Sequence, residues 1–229
     1  MSDHFFIKFP STPYLITPAN PLTRQDKILT DDEVKPFYTN RVTVEEKVDG
    51  ANLGISFSSE GTVQLQNRGH YIIEPYYGQW RPLSDWLNQR IDNLFDVLFD
   101  RYIVFGEWCY AKHEIYYNKL PDWFIAFDIY DKNDCKFLPV IKRNRLIEKA
   151  GIVRINQVYN GFISRESLDE LIGKSSYGEE QREGLYLRID NSDRLLHRAK
   201  YVRNTFSQSL NTHWSKKTLI HNQLCRESE

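Results

Sequence analysis

A lysine amine is a nucleophile only when neutral, and its ordinary pKa of ~10.4 keeps it protonated near pH 7. Burial and neighbouring cations lower that value, so a reactive lysine needs other basic groups or a metal beside it. Lys47, in EEKVDGANLGI, closes one strand pattern and is followed at once by Asp49 and Gly50 in a turn. Gly50 allows a tight turn and a close ligand. Taken alone, Lys47 is also readable as a surface lysine ahead of a D-G turn.

Five further segments carry chemistry of the same kind. Arg68, in QLQNRGH, ends the next strand pattern. Glu107, in FGEW, lies at the mouth of the apolar run YIVFG, where a carboxylate needs a partner such as a ribose hydroxyl pair or a core arginine. Phe127, with Asp128 in WFIAFDIYD, is either core or a flat face on which a base stacks for ~1–3 kcal/mol. Glu183, ahead of GLYLRI, is a solvated strand-start carboxylate or a ligand for Mg²⁺. Arg198 and Lys200, in HRAKYVR, share one face of a strand because the side-chain period is two, and they make either a phosphate clamp or a solvated face. Singly, most of these have a structural explanation. As an ordered set they supply a nucleophile, phosphate cations, a sugar acceptor, a base platform and a metal carboxylate.

The elements that must position them are mostly strands. Residues 10–36 are proline-rich and predict an extended segment wrapped over the core. VTVEEKV leads into LGISF, the turn SSEG and VQLQNR, a hairpin pattern. Leu83, Trp86, Leu87, Ile91, Leu94, Phe95 and Leu98 recur at helical spacing, with Ser84 as the expected N-cap. Strands are expected at 102–108, 123–131, 184–190 and 195–202, and helices at 139–150, from Ser164, and in the tail around Leu210, Trp214 and Leu219. Gly151 is a suitable residue to stop the helix over 139–150. This order predicts an α+β fold of antiparallel sheets with flanking helices, as one domain over 1–229.

Composition sets the outer limits. With 229 residues, 41% hydrophobic and 14% aromatic, the chain can bury a full core, and it is not a disordered sequence. No apolar run approaches the ~18 residues of a membrane helix, and MSDHFFIKFP is no signal peptide, so a soluble, cytoplasmic protein is expected. The net charge of −1 gives no bulk affinity for nucleic acid, so any such partner needs a local basic patch. Cys109, Cys135 and Cys225 are odd in number and widely spaced, which disfavours a disulfide framework or a zinc site.

The series KVDGAN, NRGH, FGEW, FIAFDIYD, EGLYLRI and RAKYV resembles the covalent nucleotidyltransferase superfamily of polynucleotide ligases and mRNA capping enzymes. Within it the chain is similar to ATP-dependent RNA ligases of the RNA ligase 2 type, from about Phe6 to Lys200. FIKFPSTPYL is similar to the first strand and turn of that type. The resemblance implies an ATP-grasp-like ligase adenylation domain, ATP and Mg²⁺ or Mn²⁺ as cofactors, and RNA 5′-phosphate and 3′-hydroxyl ends as partners of a monomer. It implies that Lys47 takes AMP from ATP, that the AMP passes to a 5′-phosphate, and that a 3′-hydroxyl then displaces it. Phe127 would stack on adenine and Glu107 would hold the ribose. Arg68 would contact the sugar or the RNA 5′-phosphate. Glu183 and Asp49 would place the metal, and Lys200 with Arg198 would orient the α-phosphate. Glu46 and Asn52 would line the pocket, and Lys216 and Lys217 would help receive RNA.

Two departures from the family pattern stand out. Arg198 replaces the first lysine of the usual Lys-x-Lys, and the segment after Lys200 is too short for an OB-fold or a separate C-terminal domain. The alternatives are a DNA nick ligase or guanylyltransferase core with its OB-fold on another chain, and a non-catalytic nucleotide- or RNA-end-binding module.

Overall fold

The computed structural model describes residues 6–17, 27–203 and 219–225. Two sheets face each other. The first has four antiparallel strands in the order β10-β9-β1-β8. These are β1 (Val42–Lys47), β8 (Gln157–Gly161), β9 (Gly184–Asp190) and β10 (Leu195–Val202). The second runs β3-β2-β4-β5-β6, with β7 (Val153–Arg154) added parallel to β5. Its other strands are β2 (Ala51–Phe57), β3 (Val63–Gln66), β4 (Tyr102–Trp108), β5 (Phe124–Asp131) and β6 (Lys136–Phe137).

Alternation along the strands sorts each side chain to a layer. Val42 and Val44 of β1 and Leu185, Leu187 and Ile189 of β9 point outward, where they pack with Phe37 of α1 (Asp31–Thr39) and Leu168 and Ile172 of α5 (Arg165–Ile172). Leu53, Ile55 and Phe57 of β2 and Val104 and Trp108 of β4 point the other way. They meet Trp86 of α2 (Leu83–Asn88), Leu94 and Leu98 of α3 (Ile91–Leu98), and Ile147 of α4 (Val140–Lys149). The remaining faces look at each other across the space between the sheets.

The expected strands 102–108, 184–190 and 195–202 are all present, as is the hairpin of β2 and β3. Three expectations change. β1 does not join that hairpin: it pairs with β8 and β9, so the three residues Val48–Gly50 carry the chain from one sheet to the other. The expected long helix divides at Gln89 and Arg90 into α2 and α3, and Pro82, not Ser84, occupies its N-cap. The segment 10–36 is not wholly extended, because α1 begins at Asp31 and includes Pro36. Thr30 and Glu33 form a capping box there, and three acidic residues in the first turn complement the helix dipole. Ser164 caps α5 as expected, and Gly151 follows α4 with φ +64°. Of the expected tail helix, Leu210 and Trp214 lie outside the described residues, as do Lys216 and Lys217, while Leu219 is described and belongs to no helix. Among the described residues no helix is long and apolar enough to cross a membrane.

Candidate active site

A cleft opens between the facing sheets. Lys47, Arg68, Glu107, Phe127 and Lys200 all line it. Lys47 is the last residue of β1 and the register partner of Gly184, so the residue before Gly184 is brought to its side chain. That residue is Glu183, whose Oε2 accepts a hydrogen bond from Lys47 Nζ at 2.6 Å. Lys200 reaches the same floor from β10, paired with Tyr186 of β9. Its ammonium is buried and lies 4.1 Å from the centre of the Tyr14 ring, a cation–π contact. Six separate segments meet here, some at strand ends, as with Lys47, and some from within strands, as with Phe127 and Lys200.

Phe127 owes its position to a bulge. Phe105 pairs with Asp128 and Gly106 with Ala126, leaving Phe127 as the extra residue of β5. Plain alternation would send Phe127 and Asp128 to opposite faces. The bulge lets both face the cleft layer, a usual effect of bulges beside functional sites. Two guanidinium groups hold it from behind. Arg143 Nη1 donates to the Phe127 carbonyl at 2.6 Å and Arg188 Nη1 donates to it at 3.3 Å. Arg143 is fully buried and paired with Glu45, and Arg188 is fully buried and paired with Asp128.

Glu107 and Asn52 are opposite one another on β4 and β2. Glu107 Oε2 and both amide atoms of Asn52 are buried and find no hydrogen-bond partner among the described residues. Such groups are costly to bury unless a ligand completes them. Burial pushes the Glu107 carboxyl up to about 7, against the pull of Lys47 and Arg68, with Glu183 and Asp49 pushing the same way as burial.

Three expected site residues have other duties. Asp49 Oδ2 accepts from the backbone N–H groups of Glu114 and Ile115, at 2.7 and 3.0 Å. Its carboxylate therefore anchors a loop through Oδ2, a duty beyond its expected place beside Glu183 as a metal ligand. Burial raises its pKa, and those two amides oppose the rise. Arg198 shares the face of Lys200 as expected, but its guanidinium lies over the rings of Phe137 and Phe9, 4.0 and 5.2 Å from their centres, and 3.5 Å from Asp128. It packs against that internal cluster and is not among the residues that line the cleft, where its expected contact with the α-phosphate would be made. Glu46 borders the cleft, but its carboxylate points to the outer layer and accepts from Ser175 Oγ, the Ser176 amide at 3.0 Å and Arg182 Nε at 3.2 Å.

The cleft also has walls that the motifs did not single out: Phe9, Thr12, Glu45, Val48, Ile155 and Tyr186. Tyr186 was available from alternation, since it sits two residues from Arg188 and opposite Lys200. Ile155 follows the short parallel strand β7, which has no sequence signal of its own. Among the described residues no three His, Cys, Asp or Glu side chains cluster as a metal cage. An ion such as Mg²⁺ does not require one, since one or two carboxylates and substrate phosphates commonly hold it. The oxygens of Glu183 suit that arrangement.

The cleft thus gathers two lysines, an arginine and an aromatic ring, groups suited to an anionic ligand with a flat base. Comparison with known proteins gives the same direction. Among curated proteins no match is found. Among solved structures, Naegleria gruberi RNA ligase with PPi superposes with a TM-score of 0.64 at 18% identity, covering 89% of this chain and 59% of that one. A variant of the same protein with ATP and Mn gives 0.62 at 18% identity, covering 77% and 54%. A variant with AMP and Mn gives 0.62 at 15%, covering 90% and 58%. The present chain thus spans little more than half the length of those structures, and at such identities the likeness is one of fold. The sequence profile of RNA ligases matches residues 40–202, most of the chain. On that match the chain belongs to the RNA ligase family.

Proposed function

We propose that this chain is an ATP-dependent RNA ligase core, a single adenylation domain that joins 5′-phosphate and 3′-hydroxyl RNA ends. The observation that carries this reading is the convergence of Lys47, Glu183, Lys200, Arg68, Glu107 and Phe127 on one cleft from separate strands. The likeness in fold to an RNA ligase solved with ATP and Mn, and with PPi, supports it.

In this reading Phe127 stacks on the adenine, and Glu107 with Asn52 receives the sugar and its neighbours. Lys47 Nζ attacks the α-phosphorus. The N–P bond forms, the bond to the pyrophosphate oxygen breaks, and the amine proton leaves to solvent. Lys200 and Arg68 place positive charge against the oxygens on which charge accumulates, where such groups are most effective. Mg²⁺ or Mn²⁺ held by Glu183 and the phosphates would add further positive charge there. AMP then passes from Lys47 to an RNA 5′-phosphate, and a 3′-hydroxyl displaces it to form the phosphodiester.

Incubation with α-labelled ATP and divalent metal, followed by denaturing electrophoresis, tests the reading. The wild-type chain is expected to carry label and Lys47→Ala to carry none. A chase with phosphorylated, nicked RNA should discharge it. Label from GTP instead would point to a capping-type guanylyltransferase, and discharge only on nicked DNA to a DNA ligase. Nucleotide binding with no covalent label would overturn the enzyme reading.

A further inference from the structure

The turn that carries Lys47 across the sheets is not held by its own strands alone. Besides the two amides that Asp49 accepts, the Asp49 N–H donates to Tyr117 Oη at 2.9 Å. All three bonds come from one loop, residues 109–118, so the position of that loop sets the position of the Lys47–Asp49 turn. The loop has no regular structure to stiffen it and needs an external support.

That support is the segment 219–225. Asn222 is 3% exposed and sits under the loop. Its Oδ1 accepts from the Tyr117 amide at 2.9 Å, and its Nδ2 donates to the carbonyls of Cys109 and Ala111 at 2.7 and 3.2 Å. One side chain therefore ties both ends of the loop together. Backbone bonds flank it: Asn222 N–H to the Tyr110 carbonyl at 3.0 Å, Lys112 N–H to Ile220 at 2.8 Å and Gln223 N–H to Tyr117 at 2.8 Å. A buried amide with every group engaged specifies geometry more strongly than an apolar contact does.

We propose that Asn222 is a positioning residue for Lys47, acting through the 109–118 loop and Asp49. This rests on the adenylation reading above. Misplacement of a nucleophile by about 1 Å costs on the order of 10²-fold in rate. Asn222→Ala is therefore expected to slow single-turnover formation of the protein–AMP bond by ~10–100-fold, with ATP affinity within about twofold of wild type. Affinity is measured on Lys47→Ala chains, with and without the Asn222 change. Tyr117→Phe, which keeps the ring and removes one bond to Asp49, should slow the same step, and combining it with Asn222→Ala should cost less than the product of the two effects. Hydrogen–deuterium exchange on the full chain should show faster exchange at residues 48–50 and 112–117 in Asn222→Ala. An unchanged adenylation rate in folded Asn222→Ala, or multiplicative effects in the double variant, would overturn the proposal. Should Asn222→Ala not fold, an unimpaired Tyr117→Phe does the same. If the wild-type chain takes no label, the ligase reading has failed, and unchanged exchange at 48–50 then independently sinks the coupling.

Discussion

Lys47 Nζ lies 2.6 Å from Glu183 Oε2, and the contact is fixed by backbone register rather than by side-chain chance, because Lys47 pairs with Gly184. Glu183 is 1% exposed and Lys47 19%, so the pair is largely shielded from screening by solvent. An ammonium bonded to a carboxylate is not a nucleophile. Attack requires the pair to open, and a substrate that draws Glu183 toward a divalent cation would open it. Glu183→Gln keeps the shape and removes the charge. It is expected to lower the rate of lysine adenylation by ~10²–10³, the loss typical of one charged or oriented stabiliser, and to raise the metal concentration needed for half-maximal labelling. Labelling rates across a metal titration check this.

Glu107 makes the stability of the chain depend on pH. Its ordinary pKa is 4.5 and burial raises it to about 7. Below 4.5 the carboxyl is neutral in the folded and unfolded chains alike. Between 4.5 and about 7 the unfolded chain has released the proton and the folded chain keeps it, so stability falls as pH rises. Above about 7 the penalty is complete and constant. Glu107→Gln removes it. Relative to wild type, that variant should be more stable at pH 8 by on the order of 1–3 kcal/mol, allowing for screening in a partly open cleft. The difference should vanish near pH 4, as urea denaturation at both values would show. The same variant should bind ATP less tightly at pH 8, where the lost carboxylate would have accepted the ribose hydroxyls.

Much of this was legible in the residues, and the misses share a cause. Period-two runs located β4, β9 and β10 to the residue. The same rule put Arg198 and Lys200 on one face correctly, yet it could not say that Phe137 and Phe9 would cover the arginine, since those rings arrive from distant segments. Asp49 reads as a free carboxylate beside Lys47 until the 114–115 amides are seen folded onto it. The bulge at Phe127 is likewise a property of two strands and not of either sequence. Pro36 misled in the opposite way, because local capping by Thr30 and Glu33 outweighed one lost helical hydrogen bond.

The Glu45–Arg143 pair separates stability from function. Both side chains are 1% exposed or less, and Arg143 Nη1 also donates to the Phe127 carbonyl. Glu45→Ala leaves a buried guanidinium short of its charge partner and should cost ~3–5 kcal/mol in denaturant unfolding. Replacing both, as Glu45→Leu with Arg143→Met, should restore most of that loss, since apolar substitutes for a buried pair are often neutral. The double variant still lacks the donor behind Phe127. Its ATP affinity should stay below wild type although its stability recovers, and recovery of both together would show that the Arg143 contact does not hold the bulge.

Gly106 tests the bulge from the neighbouring strand. It stands opposite Ala126, at the register shift that frees Phe127, and immediately before Glu107. A Cβ at this position would lie 2.6 Å from the Ile125 carbonyl oxygen and against the Phe124 ring, which is fully buried and packed edge-on to Trp86. Neither neighbour can turn away, because the oxygen belongs to the backbone and the ring is enclosed in the helix-side core. The strands must part instead. Gly106→Ala should therefore cost ~1–3 kcal/mol, as overpacking of a closed core does, and the displacement should reach Phe127 and Glu107 together. ATP affinity should fall more in Gly106→Ala than in Glu107→Gln alone, since the base platform and the sugar acceptor move at once. Calorimetric titration of folded protein on a Lys47→Ala background measures this without turnover, and equal affinities in the two variants would show that the platform is positioned independently of the β4–β5 register.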